Sequence, residues 1–134
     1  FEMGVVPIIN ANDAISIKQL GFDENDTLSA IVASLCDADL LVMLTDVDGL
    51  YDGDPKQPGS KLIPVVEKIT PEIVAAAQGA GSALGTGGML TKIEAAQIAT
   101  EAGIDTVIIG NQDPALLYEL FEGEPTCTYF KAAN

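Results

Sequence analysis

The sequence contains no histidine, which excludes imidazole acid–base chemistry and histidine-ligated metals. Basic residues are few: six Lys and Arg face twenty Asp and Glu, for a formal net charge of −14. Nucleic acid and anionic membranes are recognised through clustered cations that release counterions, so neither is an expected partner. A polyphosphate ligand would instead need backbone amides and a few well-placed lysines. Cysteine is nearly absent as well. Cys36 and Cys127 stand far apart and match no metal spacing, so they read as buried, reduced thiols, and no metal site is expected. No apolar run approaches membrane-spanning length and no signal peptide is visible, so the expected location is the cytoplasm.

Apolar material, by contrast, is abundant. Of 134 residues 48% are hydrophobic, more than a free-standing soluble domain requires. Some apolar surface is therefore expected to be covered by further chain or by a partner subunit. The opening Phe1-Glu2-Met3-Gly4 is no usual translation start and runs at once into a strand-like segment. It reads as a cut through a larger domain.

Val5-Val6-Pro7-Ile8-Ile9 is rich in β-branched residues and predicts a buried strand ending at Asn10. Asp26-Thr27 predicts a helix cap, followed by a stripe of Leu28, Ile31, Val32 and Leu35 that ends near Cys36. Leu40 to Leu44 is uniformly apolar and predicts a strand covered on both faces, closing on Thr45-Asp46. A turn-rich stretch spans 47–60, and 62–69 is a weaker strand candidate. Thr70-Pro71-Glu72 signals a helix start, with proline at the first helical position. That helix is expected to reach about Gln78, and 79–88 to form a glycine-rich loop. A helix follows from Met89 to Ala102, then a strand over 106–109, a helix over 114–121 and a last strand over 126–130. This alternation predicts an α/β class with a mainly parallel sheet. Ligands of such sheets bind beyond the carboxyl ends of the strands, where Asn10, Thr45-Asp46 and Gly110-Asn111 fall.

Three segments carry candidate chemistry. In Gly85-Thr86-Gly87-Gly88-Met89-Leu90-Thr91-Lys92, glycines allow close backbone approach and a helix start offers unpaired N–H groups to an anion. Lys92 falls in the first turn of the expected helix, where a cation opposes the dipole and a phosphate would justify it. The spacing is not that of a Walker A loop; the plainer alternative is a flexible turn with a solvated lysine. The segment Thr45-Asp46-Val47-Asp48-Gly49-Leu50-Tyr51 supports a nucleotide site, with Tyr51 near the base. A lesser alternative is the Asp-x-Asp-Gly start of a haloacid-dehalogenase-type phosphatase, which needs a downstream acidic metal site where only scattered carboxylates follow; the plainest is a strand-to-turn junction. Asn10, Asp13, Asn25 and Asp26 lie in two Asn/Asp clusters that could grip an amino acid, or serve only as loop and cap residues.

The order of these pieces resembles that of bacterial glutamate 5-kinases, of the amino acid kinase superfamily. The likeness rests on Pro7-Ile8-Ile9-Asn10, Asn12-Asp13-Ala14, Asn25-Asp26 with Leu28-Ser29-Ala30, Leu44-Thr45-Asp46 with Gly49-Leu50-Tyr51, Asp54-Pro55, and Gly85 to Met89 with Thr91-Lys92. It implies a three-layer α/β/α sandwich, of which residues 1–134 are the C-terminal, ATP-binding part, the N-terminal part of the domain lying outside them. It further implies transfer of a phosphoryl group from ATP, carried with Mg²⁺, to the γ-carboxylate of L-glutamate, the first step of proline biosynthesis, in a homo-oligomer. On this likeness Asn10, Asp13 and Asn25 bind glutamate. Thr45, Asp46 and Thr86, Gly87, Gly88, Met89, Leu90, Thr91 and Lys92 bind ATP. Lys92 stabilises the transferring phosphoryl group, and Asp26 holds catalytic lysines in place. Where the family shows glycine after the phenylalanine of its Phe-Gly-Asp, this chain has Phe22-Asp23-Glu24. A non-catalytic nucleotide-binding or assembly role is the alternative.

Overall fold

The structure, a computed structural model, describes residues 3–10, 25–79 and 86–133. Among the described residues four helices and four strands follow in the order α1 (Asn25–Leu35), β1 (Leu40–Thr45), β2 (Val65–Val66), α2 (Pro71–Gly79), α3 (Thr86–Glu101), β3 (Asp105–Gly110), α4 (Leu116–Glu122) and β4 (Cys127–Phe130). The strands form one sheet in the order β1-β3-β4-β2. β1 pairs in parallel with β3, bringing Thr45 opposite Gly110, and β2 pairs in parallel with β4. β3 and β4 run antiparallel. The class is α/β, with two of the three pairings parallel.

Helix packing follows from small side chains. α1 packs on β1, α3 packs on the neighbouring β3, and the two helices pack on each other. Ala30 and Ala33 of α1, and Ala95, Ala96 and Ala99 of α3, are buried in the core with Ile93. Alanine methyls keep the layer between backbones thin, so residues at the two helix starts come within side-chain reach of each other. β3 is the central strand, buried from Thr106 to Gly110.

Both long helices end in the same device. Ile104 N–H donates to Ala99 C=O at 3.0 Å and Gly103 N–H to Thr100 C=O at 3.1 Å, with Gly103 at φ +82°. This is a Schellman motif, in which the left-handed residue suits glycine. At the end of α1 the same bonds run from Ala38 to Ala33 and from Asp37 to Ser34, but the left-handed residue is Asp37, at φ 49°.

Several expectations are corrected. Val5 to Asn10 carries no regular secondary structure and belongs to no strand among the described residues, and Ile8 is 97% exposed. β propensity without a hydrogen-bonding neighbour makes no sheet. β1 alternates rather than being covered on both faces: Leu41 and Met43 are buried and Leu44 is exposed. Of the candidate strand over 62–69 only Val65 and Val66 pair as β2, and Tyr51 meets Leu62 in an isolated antiparallel bridge. α3 begins at Thr86, three residues before the expected start, because the glycines continue the helix. α4 begins at Leu116, since Asp113 closes a turn by accepting from Ala115 N–H at 2.8 Å. Both cysteines are free, but Cys36 is exposed and Cys127 only half-buried.

Candidate active site

The first candidate cluster sits where α1 and α3 begin. Asp26 is the second residue of α1, and it is no cap, because its carboxylate turns toward α3. Lys92 Nζ donates to both carboxylate oxygens, at 3.0 and 3.1 Å, and Thr91 Oγ1 donates to one of them at 2.8 Å. The ion pair is largely sheltered, with the side chains 13% and 23% exposed for Lys92 and Asp26. The early start of α3 changes the reading of Lys92. It is the seventh residue of the helix and lies in the second turn. Its charge is balanced by Asp26, so the dipole conflict that singled it out is weaker than the sequence suggests.

The turn preceding this pair is open. A methyl group built on Gly88 would meet nothing within 4 Å, so no packing within the described chain requires a glycine there. The first helical N–H groups have no intrahelical partner. Thr86 and Gly87 contribute helical backbone to this first turn. Met89 and Leu90, half-buried, follow; Met89 packs against the core. An anionic group approaching Gly88 would find exposed amides and, one turn on, an ammonium group.

The second group lies at the carboxyl ends of β1 and β3. Thr45 Oγ1 donates to the Asp46 carboxylate at 3.3 Å, and Asp46 is exposed. Asn111 N–H donates to Thr45 C=O at 2.8 Å, and Gln112 Nε2 donates to Asp46 C=O at 2.9 Å. Burial, then the negative charge of Asp48 and a hydrogen bond to it, push the Tyr51 phenol above its ordinary pKa.

This loop is fixed by a contact invisible in the local sequence. Thr128 Oγ1 of β4 accepts from Leu50 N–H and donates to Ile63 C=O, both at 2.8 Å. Gly49 lies so close that a methyl group there would stand 2.6 Å from Thr128 Oγ1 and 2.9 Å from its backbone nitrogen. Glycine at this position therefore answers to packing, and Thr128 ties the backbone at Leu50 to that at Ile63.

Asn10 and Asn25 line a mostly apolar groove of about 540 Å³ with Leu28, Ser29, Val32 and Leu41. Asp13, the remaining expected glutamate ligand, lies outside the described residues. A larger cleft of about 740 Å³ opens at the amino end of β3, lined by Gln97, Thr100, Asp105, Tyr129 and Lys131 among others. Its charged groups largely satisfy one another: Tyr129 donates to Asp105, and Lys131 to Glu67 at 2.7 Å. It lies at the end of β3 remote from Thr45 and Gly110.

Residues 1–111 match the amino acid kinase family. A glutamate 5-kinase of Deinococcus radiodurans is 53% identical over 130 residues, which are 96% of this chain and 36% of that protein. One of Clostridium perfringens is 48% identical over 136 residues, 98% of this chain and 51% of that protein. The chain thus spans about a third to a half of the length of these curated relatives. Among solved structures, the carbamate kinase of Giardia lamblia bound to AMP-PNP superposes with a TM-score of 0.62 at 23% identity, covering 82% of this chain and 36% of that one. The UMP kinase of Ureaplasma parvum gives 0.60 at 20% identity, covering 82% and 43%. These two likenesses concern the fold.

Proposed function

This chain belongs to the amino acid kinase family, and we propose that it supplies the nucleotide site and part of the glutamate site of an ATP:L-glutamate 5-phosphotransferase. The observation that carries this reading is the Lys92–Asp26 pair, set one turn beyond the open glycine turn of α3. The extent of the likeness to glutamate 5-kinases supports the choice of substrate.

In the proposed reaction a γ-carboxylate oxygen of glutamate forms a bond to the terminal phosphorus of ATP. The bond from that phosphorus to the bridging oxygen breaks, and ADP leaves with the electron pair. Bringing two anions together is chiefly a problem of alignment and of cancelling charge. The amides of the Thr86–Gly88 turn take phosphate oxygens, and Lys92 neutralises charge on the transferring group. Asp26 sets the position of that lysine. Mg²⁺, carried in on the nucleotide, supplies further charge neutralisation. Thr45 and Asp46 at the strand ends hold the nucleoside, with Tyr51 close by. Asn10, Asp13 and Asn25 hold glutamate. Among the described residues no helix is long and apolar enough to cross a membrane, and the proposed enzyme is a cytoplasmic homo-oligomer.

The test is γ-glutamyl phosphate formation by the intact protein, trapped with hydroxylamine, with MgATP and L-glutamate supplied. Hydroxamate that disappears in Lys92→Ala supports the reading. Nucleotide binding without any hydroxamate would replace it with a non-catalytic role.

A further inference from the structure

We propose that Thr91 is a positioning residue, acting on the transferring phosphoryl group through Asp26 and Lys92 rather than by touching nucleotide with its hydroxyl. This rests on the kinase reading above and departs from the expectation that the Thr91 side chain belongs to the ATP-contacting set.

Neighbouring helix residues diverge by about 100° around the axis, so Thr91 and Lys92 do not ordinarily share a target. Here they converge on one carboxylate. Thr91 Oγ1 lies 2.8 Å from Asp26 Oδ2, and Lys92 Nζ lies 3.0 Å from the same atom and 3.1 Å from Oδ1. The hydroxyl also lies 3.0 Å from Gly88 C=O. It has a single proton, and the shorter contact to a negatively charged acceptor takes it. The Thr91 side chain is half-buried, and its donor is committed inside the α1–α3 junction. A carboxylate gripped by lysine alone can turn about its last torsion, and the ammonium turns with it. A second donor from the adjacent backbone position removes that freedom. Lys92 is then held at one place relative to the Gly88 turn, where a displacement of about an ångström costs substantial rate.

In the intact protein Thr91→Val keeps the branched shape and deletes only the hydroxyl. The expected result is a fall of about tenfold in kcat with KM for ATP changed less than about twofold, and recovery in Thr91→Ser. On an Asp26→Asn background Thr91→Val should lower the rate no further, because both act through one lysine. A reading independent of turnover is the ¹H–¹⁵N signal of the Lys92 ammonium, expected to be slow to exchange with solvent in the parent and in Thr91→Ser, and lost in Thr91→Val. A raised KM for ATP at unchanged kcat, additive effects with Asp26→Asn, or an unaltered ammonium signal would each overturn the proposal. If the parent protein makes no hydroxamate, the glutamate kinase reading fails, while the ammonium signal still decides the role of Thr91.

Discussion

Lys92 and Asp26 are 66 positions apart in the chain, yet the ammonium nitrogen lies 3.0 Å from the nearer carboxylate oxygen. The contact closes the start of α1 against the second turn of α3. The Lys92 side chain is only 13% exposed. Lys92→Ala should weaken MgATP binding by about 1.5–3 kcal/mol, the scale of one charge-assisted hydrogen bond. Titration calorimetry checks this, and equal affinity in parent and variant would remove the nucleotide from the start of α3.

Gly88→Ala should move stability and binding in opposite directions. Alanine is the better helix former by about 0.5–1 kcal/mol, and the added methyl meets open space. The folded state should gain a few tenths of a kcal/mol, since the site is at a helix end, while MgATP affinity falls because that space is where phosphate would approach. Urea melts and nucleotide titration of the same preparation test both halves. A variant that binds as tightly as the parent contradicts the assignment of the turn.

Thr128→Val should be costly despite its conservative shape. The hydroxyl serves Leu50 N–H and Ile63 C=O together, and valine leaves both without it. A loss of about 2–3 kcal/mol in denaturant unfolding is expected, with Thr128→Ser close to the parent. Gly49→Ala should cost about 1–3 kcal/mol from overpacking against the same residue.

The Asp105–Tyr129 hydrogen bond should leave its mark at both ends of the pH scale. The Tyr129 hydroxyl and the Ala132 amide hold the Asp105 carboxyl below its usual range. That contribution is present above the unfolded carboxylate pKa of about 3.9 and disappears as pH falls through the lower folded value. Tyr129 moves the other way, pushed up to about 12 by its bond to Asp105 and by burial. Its contribution is full below the unfolded pKa near 10 and is lost as pH rises toward 12. Melting temperature against pH should therefore drop less steeply on both limbs in Tyr129→Phe. Identical limbs would show that the pair does not couple to folding.

Asp37→Gly should stabilise the protein by about 0.5–1 kcal/mol. Asp37 holds φ 49° at the end of α1, a conformation glycine adopts without penalty, and its negative charge faces the negative end of the helix dipole. Thermal or urea unfolding reads the change, and a destabilised variant would point to an undetected use of the Asp37 side chain.

The class and most of the elements were legible in local sequence. Apolar runs at 40–44 and 106–109, the Thr70-Pro71 start and Gly103 as a stop each signal locally, because periodicity, proline and glycine act within a few residues. Those signals read Asp26 as a helix cap, and it was the likeness to glutamate 5-kinases that grouped Asp26, Thr91 and Lys92 into one expected site. What each does to the others was decided only by the packing of α1 on α3, since a hydrogen bond between residues 65 apart has no local trace. The tertiary structure likewise decided that Gly87 and Gly88 begin a helix instead of ending a loop, and that Val5 to Ile9 finds no neighbour among the described strands. Thr128 is the clearest case. Its sequence context reads as an ordinary strand threonine, and only the seating of β4 between β3 and β2 places its hydroxyl between Leu50 and Ile63.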